Sequence, residues 1–167
     1  MTEHKLFFAL WPDPATRAAL ARLQPLAPGR AIGADKLHLT LAFLGRQPAG
    51  ALALLRGILD GLTIPELSLR IDCLDYFNRP RIAWAGMTQP PAALFSMQAE
   101  LMRQLEAAGF SAATHGEFKP HVTLAREAPH APPAAQFEPI TWRVNEVALV
   151  ESLTGAGIYQ PIATRRS

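Results

Sequence analysis

Two tetrapeptides in this chain of 167 residues bear the same pair of reactive groups: His38-Leu39-Thr40-Leu41 and His121-Val122-Thr123-Leu124, 83 residues apart. In a pleated strand residues i and i+2 point the same way. Each motif would therefore present an imidazole and a hydroxyl on one surface while Leu or Val anchors the other. Two such strands brought together make a pocket of four polar groups. In-line displacement at phosphorus needs a base behind the nucleophile and an acid behind the leaving oxygen. Two imidazoles with an ordinary pKa of about 6.5 supply one neutral and one protonated ring near neutral pH. General acid and base catalysis contribute about 10² to 10⁴-fold each. Thr40 and Thr123 are then placed to hold the non-bridging oxygens.

Histidine also ligates zinc and also sits satisfied in cores. Zinc-binding histidines usually come with Cys, Asp, Glu or a third His close by, as in His-Glu-x-x-His, and neither motif carries such a partner. No metal and no other cofactor is expected. A core histidine would account for either motif alone, but less well for the same motif twice in register.

The elements that must position these groups are readable from hydrophobic period. Residues 5 to 11 are an aromatic and apolar run stopped by Pro12, as in a buried strand. Asp13 before Pro14 looks like a helix N-cap, and Ala19, Leu20, Leu23 and Leu26 give a helical stripe as far as Pro28-Gly29. From Lys36 to Leu44 the period is two, with Leu37, Leu39, Leu41 and Phe43 on one face and His38, Thr40 and Ala42 on the other. A second helix over 50 to 62 precedes strands around Leu67 to Ile71 and Arg81 to Met87, with Asn78-Arg79-Pro80 as the hairpin joining them. Leu94, Met97, Leu101 and Leu105 mark a third helix from Ala92 to Ala108, closed by Gly109. A second alternating strand starts at His121, Pro129 to Pro139 reads as a surface loop, and strands follow near 141 to 152 and 157 to 164. The recurrence of His-x-Thr-Leu after helical segments suggests an internal duplication.

The length fits one domain on a soft prior of about 150 residues each. With 49% hydrophobic and 18% charged residues, the composition is that of an ordinary globular protein and not of a disordered or fibrous one. The net charge of +2 and pI near 9.0 lean only weakly toward anionic partners. The single cysteine, Cys73, cannot form an internal disulfide and is read as a small core residue in a strand. The run Leu6 to Trp11 is too short for a signal-peptide core, and no stretch approaches the roughly 20 apolar residues of a membrane span. A soluble cytoplasmic protein with no membrane partner is the expectation.

Lys36-Leu37-His38-Leu39-Thr40-Leu41-Ala42-Phe43-Leu44-Gly45 and Phe118-Lys119-Pro120-His121-Val122-Thr123-Leu124-Ala125-Arg126 resemble the two signature segments of the LigT-like RNA 2′,3′-cyclic phosphodiesterases. These belong to the two-histidine phosphoesterase superfamily, also called the 2′-5′ RNA ligase family. The likeness extends to Leu6 to Leu10, Arg81 to Trp84 and Gly157 to Tyr159. It implies an α+β fold, a single domain over 1–167 with two pseudo-symmetric lobes, antiparallel sheets around a central cleft, and helices outside. It implies metal-independent hydrolysis of a 2′,3′-cyclic phosphate to a 2′-phosphomonoester. His38 would protonate the leaving 3′ oxygen and His121 would take a proton from water, the roles exchanging in the reverse direction, with reversible 2′-5′ RNA ligation as a secondary expectation. RNA with a cyclic phosphate end is the implied partner, tRNA fragments and nucleotides among the candidates, and a monomer is the expectation.

Arg126 matches the arginine closing the second signature, where a guanidinium could bind phosphate through a bidentate fork. Strict alternation sends it to the Val122 face, so it reaches the pocket only if the strand ends or bulges after Leu124. Glu117 departs from the family pattern, in which a basic residue is common before Phe118. Phe7, Lys119 and Tyr159 are candidates for base or RNA contact, although an aromatic residue in a first strand is more often core. Arg79 and Arg81 flank the hairpin and could touch RNA phosphates, although an ordinary solvated turn is the plainer reading, and His4, His115 and His130 read as solvated loop residues. Two rival functions use the same cleft: a noncatalytic module binding RNA ends or nucleotides, and a phosphodiesterase of small cyclic nucleotides.

Overall fold

The computed structural model describes residues 3–112 and 117–167. Its ten strands and three helices, in chain order, are β1 (Glu3–Leu10), α1 (Pro14–Ala21), β2 (Arg30–Ala31), β3 (Leu39–Pro48), α2 (Leu52–Gly61), β4 (Leu67–Ile71), β5 (Cys73–Phe77), β6 (Ile82–Gly86), α3 (Ala92–Ala107), β7 (Val122–Arg126), β8 (Ile140–Val144), β9 (Glu146–Leu153) and β10 (Ile158–Arg166). The antiparallel order β10-β9-β1-β3-β7-β6-β5 forms the main sheet, β2 pairs with β7, and β4 and β8 make a second sheet of two strands.

β1 runs between β3 and β9 and is covered on both faces, which explains its unbroken apolar sequence. Leu6, Phe8 and Leu10 enter the main core, whereas Phe7 and Ala9 pack on the other side with Ala148 and Val150. Asp13 caps α1 as expected: it accepts from the Thr16 backbone N–H at 2.8 Å and from the Thr16 hydroxyl at 2.9 Å. Those bonds, the backbone one foremost, hold the Asp13 carboxyl below its ordinary range. α3 buries Leu94, Met97, Leu101 and Leu105, the four residues of its stripe. Each such burial contributes about 1.5–3 kcal/mol.

Several sequence expectations are corrected. α1 ends at Ala21, and Leu23 and Leu26 belong to a tighter turn around Gln24–Leu26. The hairpin through Arg79-Pro80 joins β6 to β5, a strand the periodicity did not reveal, while β4 pairs with β8 instead. β5 is half-buried along its length, with Asp75 exposed, so it shows no clear alternation, and Cys73 is half-buried there and not in the core. The stretch 141 to 152 is two strands, broken at Asn145, one in each sheet. His4 lies in β1, not in a loop, with Nδ1 at 2.5 Å from Glu151. His130 is exposed, and His115 lies outside the described residues.

The main sheet is narrowest where it matters. β3 and β7 meet at one registered pair, Leu39 with Val122, and the remaining strands fan out on either side. Continuing that antiparallel register sets His38 against Thr123 and His121 against Thr40.

Candidate active site

Each motif histidine stands just before its strand and is anchored in the same way. His38 Nδ1 lies 2.6 Å from the carbonyl of Lys36, and His121 Nδ1 lies 2.7 Å from the carbonyl of Lys119. A carbonyl can only accept, so both rings carry their proton on Nδ1 and turn Nε2 inward. At His38 that nitrogen then accepts from the Thr40 hydroxyl at 2.8 Å. His121 has no matching bond to Thr123.

Both strands bulge at the fourth residue of the motif. Ala9 pairs with Thr40 and Phe8 with Ala42, leaving Leu41 unpaired in β3. In β7, Trp84 pairs with Thr123 and Ala83 with Ala125, leaving Leu124 unpaired. One extra residue reverses the facing of everything beyond it. The bulge at Leu124 meets the condition for Arg126, which joins the cavity lining. The bulge at Leu41 does the same to Phe43, which is 41% exposed and turned into the cleft, away from the face of Leu37, Leu39 and Leu41.

The cavity so formed measures about 270 Å³ and is lined by His38, Thr40, His121, Thr123 and Arg126, with Lys5, Phe7, Lys36, Phe43, Ser152 and Tyr159 around them. The structure thus gathers seven of the eight candidate residues. Lys119 is the exception: its carbonyl holds His121, but its side chain lines an adjoining groove.

Aromatic rings wall both imidazoles, and of these sequence reasoning named Phe7 and Tyr159 but passed over Trp11, Phe77 and Trp84. Phe7, Tyr159 and Trp11 lie 4.8, 5.5 and 6.1 Å from His38 between ring centroids, and Phe77 and Trp84 lie 4.8 and 5.7 Å from His121. Gly86 makes room for Trp84, since a Cβ there would fall 2.5 Å from the indole. Arg17 was also missed. Its Nη1 donates to the carbonyls of Ala34 and Leu37, both at 2.9 Å, pinning the turn ahead of His38, and its guanidinium lies 4.8 Å from the Trp11 ring. Phe43 did leave a signal, because aligning the two motifs sets it against Arg126.

Burial governs the electrostatics. Desolvation among the rings lowers the His38 pKa to about 4; the Lys36 carbonyl opposes this, and the charges of His121, Arg17 and Arg126 add to it. His121 is lowered too, by desolvation, against the pull of the Lys119 carbonyl. Both shifts favour the neutral imidazole at pH 7. The lining holds three cationic side chains, Lys5, Lys36 and Arg126, and no carboxylate or thiol among the described residues. That charge suits an anion. An anion bound between the rings would in turn favour protonation of one of them.

Two anchored imidazoles and two hydroxyls on facing, similarly bulged strands, with a guanidinium beside them, define a phosphoesterase-type cleft of the two-histidine class. The profile of the 2′-5′ RNA ligase superfamily matches residues 11–156. The chain belongs to that superfamily. It is 34% identical to the RNA 2′,3′-cyclic phosphodiesterase of Escherichia coli K12, over 92% of this chain and 89% of the relative. The crystal structure of E. coli LigT complexed with 3′-AMP superposes with a TM-score of 0.85 at 30% identity, covering 99% of this chain and 98% of the other. TT0787 of Thermus thermophilus superposes with a TM-score of 0.80 at 27% identity, covering 97% of each chain. The fold is the expected α+β arrangement of antiparallel sheets around a cleft. No described helix is long and apolar enough to cross a membrane.

Proposed function

We propose that this protein is an RNA 2′,3′-cyclic phosphodiesterase, and that residues 1–167 work as one phosphoesterase unit of two lobes. The observation that carries the reading is the convergence of His38 and His121, each fixed in the Nδ1–H tautomer, on one cavity with Arg126 and both threonines. Membership of the superfamily and the activity named for the E. coli relative support it.

In this mechanism the cyclic phosphate sits between the two Nε2 atoms. Arg126 and the hydroxyls of Thr40 and Thr123 hold its non-bridging oxygens. His121 takes a proton from the attacking water, and His38, as imidazolium, gives one to the departing 3′ oxygen, leaving a 2′-phosphomonoester. Desolvation works against a charged His38, so the imidazolium depends on the negative charge of the bound substrate. With the 5′-hydroxyl of a second ribose in place of water, the same attack forms a P–O5′ bond, releases the 3′ oxygen and joins the two ends through a 2′-5′ linkage. The reverse reaction cleaves that linkage with the histidine roles exchanged. Neither direction draws on a metal, in keeping with a lining of cations and neutral donors.

The test is incubation of the purified protein, with chelator present, on an oligoribonucleotide ending in a 2′,3′-cyclic phosphate, separating 2′- from 3′-phosphate products. A 2′-phosphate product that disappears in His38→Ala and His121→Ala is expected. Saturable binding without turnover would overturn the hydrolase reading in favour of a binding module. Inhibition by chelator that zinc reverses would overturn the metal-free chemistry.

A further inference from the structure

Beside the catalytic cavity lies a groove of about 1300 Å³ that the mechanism does not use. It shares Thr40, Phe43, Ile82 and His121 with the cavity, then runs outward between the β5–β6 turn and α3. The smaller cavity falls below the roughly 300–1,000 Å³ of pockets that enclose a whole small molecule, so it suits the cyclic phosphate with its ribose and little more. The His38 end of that cavity is walled by Phe7 and Tyr159. Anything attached to the reacting ribose therefore has its room at the His121 end, past Phe43.

We infer that this groove is a track for the single strand leading 5′ from the cyclic end, an inference that rests on the hydrolase reading above. Single-stranded nucleic acid is held by flat apolar surfaces on which bases stack and by cations that follow the backbone. The groove has both. Phe43 stands at its mouth, 41% exposed where most large apolar side chains are buried, and Phe77 lies on the opposite side. Arg79 and Lys119 line it, both exposed and with no ion pair or side-chain hydrogen bond to another described residue. Arg103 is already committed to Glu100, with Nε at 2.9 Å from the carboxylate, and the carboxylates of Glu106 and Glu117 are also in the lining. The cationic guidance comes from Arg79 and Lys119, and α3 adds the exposed Ala99 to the lining.

The chain should therefore prefer cyclic-ended oligonucleotides to cyclic mononucleotides. The experiment measures kcat/KM on a nucleoside 2′,3′-cyclic phosphate and on tetraribonucleotides with the same end, in the unmodified protein, Arg79→Ala and Ala99→Glu. An oligonucleotide preference of about tenfold or more is expected, falling by about fivefold in each variant, with the loss in KM. For Arg79→Ala the plot of log(1/KM) against log salt should flatten by about 0.7, the contribution of one single-strand phosphate contact. Equal kcat/KM for the two substrates, or a preference untouched by both variants, would overturn the track while leaving the hydrolase reading intact. If neither substrate turns over, the hydrolase reading fails first. Anisotropy of a labelled tetranucleotide then decides the track separately: binding weakened by both variants supports it, and no binding removes it.

Discussion

The two motifs share a backbone and differ in their surroundings. Lys-x-His-x-Thr-Leu-Ala occurs at 36–42 and again at 119–125, and in both copies the lysine carbonyl takes the Nδ1 proton and the Leu bulges out of register. The repeat therefore delivers the same tautomer twice. His38 is set deeper, walled by Phe7 and Tyr159 and bonded to Thr40, whereas His121 borders the open groove. After the bulge one copy offers Phe43 and the other Arg126. Duplicated geometry can thus supply an acid and a base, while neighbours outside the repeat make the two unequal.

The harshest way to break the comparison is to remove one imidazole at a time. His38→Ala and His121→Ala are each expected to lower kcat by about 10² to 10⁴-fold on a cyclic-ended oligonucleotide. The double variant should be little worse than either, because the pair acts as a unit. Circular dichroism should show the fold retained. A variant with full activity would exclude its histidine from the reaction.

Next in size is the difference after the bulge. Charged hydrogen bonds are worth about 1.5–3 kcal/mol, so Arg126→Ala should cost about 10 to 150-fold in kcat/KM. Arg126→Lys should recover only part of that, having a point charge in place of a fork. Near-complete recovery would mean that Arg126 acts through its field alone.

The depth difference can be read directly by titration. Imidazole NMR of the free protein should give a midpoint of about 4 for His38 and a smaller depression for His121, both with the proton on Nδ1. An unfolded histidine titrates near 6.5, so between that pH and about 4 the unfolded chain binds more protons at this site. Stability should accordingly fall as pH drops through that window and level off below it, and His38→Gln should remove this part of the slope. Urea unfolding at pH 7 and pH 5 checks it.

How far the site was legible in the sequence follows the same contrast. Alternation alone set His38 with Thr40 and His121 with Thr123, because those residues precede the bulges. Beyond Leu41 and Leu124 it failed at Phe43 and left Arg126 conditional, since an unpaired residue has no compositional mark of its own. α3 was readable because its apolar stripe is its packing face. β5 was not, because half-buried residues give no period, and the change of sheet at Asn145 is set by partners distant in sequence. The rings around the histidines come from β1 and Trp11 just after it, and from β5, β6 and β10, which only tertiary pairing brings together.

The smallest expected effect tests the hydroxyls. Thr40 is bonded to the His38 ring, while the Thr123 hydroxyl has no hydrogen bond to another described side chain. Removing one neutral hydrogen bond costs about 0.5–1.5 kcal/mol, so Thr40→Val and Thr123→Val should each lose about 2 to 10-fold in kcat/KM. The magnitudes overlap, but their pH profiles should not. Without the Thr40 hydroxyl, His38 Nε2 loses a partner that favours the neutral ring, so its imidazolium becomes easier to form and the limb set by His38 moves to higher pH. Thr123→Val should scale the profile without moving it. Identical displacement in both variants would mean that the two threonines are equivalent and that the asymmetry between them disappears once substrate is bound.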